Sequence, residues 1–381
     1  MKGTRWILAA ALLIGLLPLR ANAAALAEAG KSAVLMDVTT GTVLYEANSH
    51  EPLAPASVTK VMTMLLIMEA VDSGKIGLQD TVTASEAAAA KGGSQIYLKA
   101  GETMTVSDML KSIAVSSAND CACAMAEHIC GSEAAFVEAM NQRAKELGMR
   151  DTHFVNCTGL DDDDAARQHR TSAYDIALMS RELLKNHPLI KKYTTIWMDT
   201  VRGGAFGLSN TNKLIRFYPG ATGLKTGFTS GAGYCLSASA QRDGMELVAV
   251  VMGAKTSAAR NAACKELLDY GFANFAVIAP ELTEIPGVNV KLGKQDSVSA
   301  ALGESTGLLI DKAQKSAVTT EVALEESVTA PVAQGQRIGT LSIKSGEQTL
   351  RQIPLVASEP VERLTMGDIF VNVLRRAAMA K

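Results

Sequence analysis

The sequence predicts an α/β (α+β) fold: one sheet covered by helices, an all-helical subdomain within it, and a small β-rich domain after it. Three observations carry that expectation. Strand-type segments stand on both sides of a long helical block, before residue 50 and again over about 195–255, so one sheet is built from both ends of the segment. The block between them, about 80–190, is rich in Ala, Met, Glu and Lys and mostly helical in pattern. Near Val277 the composition shifts to short β-type runs separated by Gly, Ser and charged turns. A length of 381 residues exceeds the usual single domain and favours one large unit with a smaller one.

The elements follow in order. Lys2 and Arg5 precede an apolar stretch from Trp6 to Leu17, and Ala21-Asn22-Ala23 comes after it. A basic start, a short apolar run and a small-x-small site form a secretory signal, expected over 1–23 and removed by cleavage. The run is shorter than the roughly 18–20 residues a spanning helix needs, so the mature protein is expected to be exported and to work outside the cytoplasm. The main domain is expected over 24–277. Its first element, SAVLMDVTTGTVLYEAN, alternates apolar and polar residues around Thr39-Thr40-Gly41 and reads as a hairpin. Pro55 then begins a helix in which Val58, Val61, Met62, Leu65, Leu66 and Met68 are apolar nearly all round, which places it in the centre of a domain. Loops interrupt the helical block at Gly92-Gly93, at Gly131-Ser132 and at the acidic run 161–164. That run lacks EF-hand spacing and the closing Glu, and reads as a solvated loop. Strands return in YTTIWMDTVRG, TGLKTGFTSGAGYCLSASA and GMELVAVVMGA, and a helix over 258–275 closes the domain.

The β-rich domain, expected over 278–360, contains GVNVKL, GLLI, QRIGTLSI and TLRQIPLV and holds no clustered His, Cys or triad. In the tail, 361–381, Met366, Ile369, Phe370, Val373, Leu374 and Ala377 share one helical face, with Glu362, Asp368, Asn372, Arg375 and Arg376 largely opposite. An amphipathic terminal helix ending in basic residues reads as a membrane-surface element, the competing reading being a helix docked on its own β domain. Net charge of -2 and low aromatic content give neither a basic footprint nor a stacking platform, so nucleic acid is not an expected partner. Cys121, Cys123 and Cys130 fall in one predicted helix, with side chains too divergent or too distant to bridge each other, and most of the six cysteines read as small buried hydrophobes. The five histidines are scattered without zinc-type spacing, so no metal and no cofactor is expected.

Ser57 and Lys60 stand three positions apart at the head of the apolar helix. At that spacing two side chains share a helix face, so the hydroxyl and the amine come within hydrogen-bond reach. The free N–H groups and positive dipole of a helix start stabilise an oxyanion, and burial of Lys60 beside a second cation leaves a neutral amine that accepts the serine proton. A helix cap at Ser57 with Lys60 in solvent accounts for the same letters. Two further segments bear on the choice. Ser117-Ala118-Asn119 lies where one apolar helix meets another, and by itself reads as a cap or a turn. Lys225-Thr226-Gly227 lies inside a strand, where a glycine marks the close approach of something such as a ligand backbone.

Together these segments resemble the active-site set of the penicillin-recognising serine enzymes: S-x-x-K, then S-x-N, then K-T-G, in that order. The flanking text, LMDVTTGTVLYEANSHEPLAPASVTKVMT, LKSIAVSSAND and GLKTGFTSGAGYCLSASA, narrows the resemblance to the low-molecular-mass penicillin-binding proteins that are D-alanyl-D-alanine carboxypeptidases. PVAQGQRIGTLSIKSGEQTLRQIPLVASEPVE resembles that family's C-terminal β domain, and the tail resembles its membrane-associating helix. The resemblance implies a penicillin-binding/β-lactamase-like transpeptidase domain without cofactor, acting on peptidoglycan stem peptides that end in D-Ala-D-Ala and acylated by β-lactam antibiotics. It implies Ser57 as nucleophile and Lys60 as its base, with Ser117 relaying a proton to the leaving amine and Asn119 orienting Lys60 and the substrate amide. Lys225 and Thr226 would bind the terminal carboxylate, Gly227 would let substrate lie along the strand edge, and the N–H groups of Ser57 and Phe228 would form the oxyanion hole. Several relatives carry His where this chain has Phe228; the backbone N–H survives that change.

Three rival functions are weighed against this. A β-lactamase needs a group that activates water, and the nearest text, Glu182-Leu183-Leu184-Lys185-Asn186, reads as a helix end before Pro188. A non-catalytic wall-binding protein has no use for a serine–lysine pair. A peptidoglycan DD-endopeptidase shares the same motifs.

Overall fold

Ser32–Asp37 (β1) and Val43–Ala47 (β2) form the expected antiparallel hairpin. Ala221–Thr229 (β3), Gly233–Arg242 (β4) and Met245–Ala254 (β5) complete an antiparallel sheet of order β2-β1-β5-β4-β3. The first strand thus pairs with the last, Leu35 opposite Ala249, and the sheet is built from both ends of the domain. In this computed structural model, residues 27–162, 164–278, 285–304 and 307–371 are described. The signal segment expected over 1–23 lies outside them.

All of β1 and nearly all of β5 are buried, because helices cover both faces of the sheet and neither strand can alternate with solvent. On one face Leu35, Leu247, Ala249 and Val251 pack on Leu267 and Leu268 of the closing helix, Ser257–Asn274. On the other, Val34, Met36, Val248 and Val250 join the larger core around Lys60–Asp72 (α1). Burial of α1 extends round its circumference, as its apolar sequence predicts, including Val61, Met62, Met64, Leu65, Ile67 and Met68. The chain enters it through a 3-10 turn, Ala56–Thr59, so the α-helix begins at Lys60 and not at Pro55.

The helical block holds Val106–Ser116 (α2), Asn119–Cys130 (α3), Glu133–Glu146 (α4) and Ala173–Asn186 (α5). Thr105, Ser132 and Ser172 cap α2, α4 and α5 by accepting from the backbone N–H three residues on. Gly131, with φ of +81°, ends α3, and the expected loop there is a two-residue joint. All six cysteines are free thiols and five are buried. Of YTTIWMDTVRG only Met198–Val201 is strand; Tyr193 and Thr194 end a short helix.

The composition break near Val277 falls inside a strand, Phe275–Ile278, which pairs with Leu308–Asp311 of the C-terminal region. Among its described residues that region has two sheets of its own and two small cores, around Val290, Val298 and Ile338 and around Leu341, Ile343, Ile353 and Leu355. Its bonding runs past residue 360: Val361 is buried, and Leu364 N–H donates to Leu292 O. The tail helix is described from Met366 to Val371, where Met366 and Phe370 are 84% and 65% exposed and do not dock on the β domain. Its remaining face residues, Val373, Leu374 and Ala377, and the basic pair Arg375 and Arg376 lie outside the described residues.

Candidate active site

The 3-10 turn that starts α1 carries Ser57 and sets Lys60 one turn on. Neither the turn nor α1 has a side-chain cap, so the Ser57 hydroxyl is not spent on the backbone and the capping alternative falls. Lys60 Nζ lies 3.0 Å from Ser57 Oγ and donates to Thr158 O at 2.8 Å. The amine is fully buried, and desolvation pulls its pKa down from 10.5 to about 7. Close to neutrality a large fraction is therefore the free amine, able to accept the serine proton.

Thr158 sits in a turn that Asn156 folds by accepting from Thr158 N–H at 3.1 Å and Gly159 N–H at 2.6 Å. Gly159 has φ of +78°, and a Cβ there would stand 1.8 Å from Ala56 O, so only glycine lets this turn press on the nucleophile turn.

Ser117 ends α2 in the left-handed region, φ +64°, and its Oγ is buried without a hydrogen-bond partner. Asn119 begins α3; its Nδ2 donates to Gly92 O at 2.7 Å, and its Oδ1 is buried and unpartnered. Two orphaned acceptors at a site marked by a Ser–Lys pair are free for a substrate amide or a moving proton. The expected contact from Asn119 to Lys60 is not made, because the amide is turned to Gly92 and Thr158 O takes its place at the amine. Asp120 accepts from Ile96 N–H and Leu98 N–H, fixing the loop over this corner.

On β3, Lys225 is buried with its Nζ donating to Thr226 O at 2.8 Å, and Thr226 Oγ1 donates to Thr211 Oγ1 at 2.7 Å. Burial, then Lys60, then Arg260 hold the Lys225 amine well below its ordinary pKa. Lys60 and Arg260 both disfavour a charge on Lys225, an arrangement that an incoming carboxylate relieves. A backbone does approach Gly227 closely, as a glycine inside a strand leads one to expect: a Cβ there would stand 2.6 Å from Pro55 O, 3.0 Å from Val58 N and 3.1 Å from Ser57 N. The close neighbour is the nucleophile turn itself, against which this part of β3 packs without a side chain between. The Phe228 ring is 54% exposed and stacks on Tyr234 with centroids 4.2 Å apart. An open cavity of about 560 Å³, with Asp161, Asp162, Arg167 and Arg170 in its wall, adjoins the site at Ala54 and Gly231.

Thr158, Thr211 and Arg260 escaped the sequence reading. A main-chain carbonyl leaves no letter; the available signals were Asn156 and Gly159 around Thr158, and a lone Arg in the Ala-rich start of the closing helix. Among the described residues, Glu69, Glu182 and His187 could converge on a cation, their ligand atoms within 4.8 Å of each other. Arg143 already bridges both carboxylates at 2.7 Å. Glu182 meets α1 at Glu69, about 13 Å along the helix from Lys60, and does not face Ser57.

The D-alanyl-D-alanine carboxypeptidase family profile matches residues 20–256, and that of the penicillin-binding protein 5 C-terminal domain matches 283–363. The chain is 45% identical over 357 residues to the D-alanyl-D-alanine carboxypeptidase DacF of Bacillus subtilis, covering 90% of each. Penicillin-binding protein 5 of Haemophilus influenzae superposes with a TM-score of 0.73 at 31% identity, covering 88% of this chain and 98% of that one. Penicillin-binding protein D2 of Listeria monocytogenes, in its ampicillin-bound form, superposes with a TM-score of 0.58 at 32% identity over 64% of this chain and 98% of its own. With the serine–lysine pair and the β-rich second unit in place, the chain belongs to the D-alanyl-D-alanine carboxypeptidase family, serine peptidases of the low-molecular-mass penicillin-binding class.

Proposed function

We propose that this protein removes the terminal D-alanine from peptidoglycan stem pentapeptides through an acyl-enzyme on Ser57, and so limits wall cross-linking. The observation that carries the reading is the buried Lys60 amine, drawn down to about 7, at 3.0 Å from Ser57 Oγ. Lys60 takes the Ser57 proton as Oγ attacks the carbonyl carbon of the penultimate D-alanine. The N–H groups of Ser57 and Phe228 receive the oxyanion. The tetrahedral intermediate collapses as the C–N bond breaks, and the Lys60 proton passes by way of Ser117 Oγ to the leaving amine. Water then attacks the ester, with Lys60 again as base. Asn119 Oδ1 accepts from the substrate amide, and Lys225, Thr226 and Arg260 bind the terminal carboxylate, whose charge restores the Lys225 ammonium.

β-Lactams acylate the same serine. The chain is exported, and its tail helix lies on the outer face of the cytoplasmic membrane; the exposed Met366, Ile369 and Phe370 support that placement. The decisive experiment is mass spectrometry of the protein after penicillin treatment, followed by assay of D-alanine release from a pentapeptide and cleavage of a cross-linked dimer. One adduct on Ser57 with D-alanine release is expected. No adduct would sink the enzyme reading, and cleavage of the dimer alone would reassign it to an endopeptidase.

A further inference from the structure

We propose that His169 is a positioning residue that fixes Lys60 relative to Ser57, an assignment that rests on the serine–lysine mechanism above. Two separate pieces of backbone must agree for that pair to meet. The turn 156–159 supplies the carbonyl that holds Lys60 Nζ, and the 3-10 turn Ala56–Thr59 carries Ser57. Apart from the Lys60 amine itself, His169 is, among the described residues, the side chain whose bonds link the two. Its Nδ1 accepts from Val155 N–H at 3.1 Å, at the head of the first turn. Its Nε2 lies 2.8 Å from Thr59 Oγ1, and Thr59 Oγ1 donates to Ala56 O at 2.8 Å, beside Ser57.

The chain of bonds fixes the tautomer. An N–H on one side makes Nδ1 an acceptor, so the proton is on Nε2 and is donated to Thr59 Oγ1, which has spent its own hydrogen on Ala56 O. Every donor in the series therefore has one acceptor. The ring is 3% exposed and packs edge-on against Phe154 with centroids 5.6 Å apart. Burial, with His153, Arg170 and Lys60 adding repulsion, holds its pKa down at about 3. The ring stays neutral wherever the enzyme works and takes no proton from the reaction.

The Lys60 amine apart, the other side-chain anchors of the 156–159 turn do not reach the nucleophile turn. Cys157 N–H donates to Glu133 Oε1, and Cys157 O accepts from Thr63 Oγ1. Without the imidazole the turns keep their packing at Gly159 but lose the bonded link that does not run through the reacting amine, and the Lys60 amine is free to drift from Ser57. A displacement of about 1 Å between reacting groups costs on the order of 100-fold in rate.

The test measures penicillin acylation rate, KM for a pentapeptide, and Tm for the full chain. His169→Ala is expected to acylate about 10- to 100-fold more slowly with KM within about twofold, and added imidazole is expected to restore part of the rate by filling the cavity. Thr59→Val, which keeps shape and severs the link, is expected to reproduce the loss, and His169→Gln on top of Thr59→Val to add little. Wild-type acylation rates in folded His169→Gln and Thr59→Val would overturn the proposal even if Tm falls, since that pattern marks a structural role alone. Should His169→Ala not fold, these two variants decide. Absence of labelling in the wild-type chain would instead count against the mechanism itself.

Discussion

At the scale of a single residue, Lys60 shows a conflict between stability and function. Its amine has an ordinary pKa of 10.5 and about 7 in the fold, so between those values the unfolded chain binds more protons than the native one. Stability then rises with pH across that window: the burial penalty is absent above 10.5 and reaches its full value below about 7. A shift of this size corresponds to a penalty on the order of 5 kcal/mol at neutral pH and below, offset in part by the bonds to Thr158 and Ser57. Lys60→Met removes the charge and keeps the length. It is expected to abolish penicillin acylation while raising stability at pH 7 by about 1–3 kcal/mol, measured by urea unfolding, with the gain shrinking towards pH 10. A variant as stable as wild type at both pH values would show that the amine is not buried uncompensated. The same titration predicts that kcat/KM falls as pH drops through about 7, as Lys60 becomes protonated.

At the scale of elements, the site is a meeting of three backbones: the nucleophile turn, the 156–159 turn and β3. Two glycines allow it. Gly227→Ala places a methyl 2.6 Å from Pro55 O and 3.0 Å from Val58 N, backbone atoms that cannot yield singly. It is expected to cost about 1–3 kcal/mol and to slow acylation at least tenfold by moving the Phe228 N–H; an unchanged rate would show that β3 does not set the oxyanion hole. This meeting also marks what was legible in the sequence. Helix α1 was readable because Val61, Met62, Leu65 and Met68 leave it no polar side, and β5 because a doubly covered strand is continuously apolar. Ser57, Lys60 and the strand lysine were readable because side-chain chemistry carries their role. Thr158 and the partner of Gly227 were not, since the first acts by its carbonyl and the second is a contact between segments some 170 positions apart in sequence. His169 and Arg260 were unreadable for a related reason: a lone His or Arg gains meaning only from the elements folded around it.

At the scale of the molecule, the sheet and its two cores form one unit that holds every site residue, and the β-rich region sits beyond it on its own cores. Catalysis and placement are thereby separable, and where the chain is cut decides whether that can be tested. A cut after 360 removes Val361, a buried member of the β-domain core, together with the Arg363 bridge to Gly293 and the Leu364 bond to Leu292. A cut after Leu364 spares all three and removes the apolar face that starts at Met366. The shortened chain is expected to keep its Tm and its penicillin acylation rate and to stay in the supernatant when vesicles containing anionic lipid are pelleted, whereas the mature full-length chain sediments with them. Equal sedimentation of the two would remove the tail helix as the anchor, and sedimentation of the full chain that survives high salt would assign the binding to its apolar face over Arg375 and Arg376.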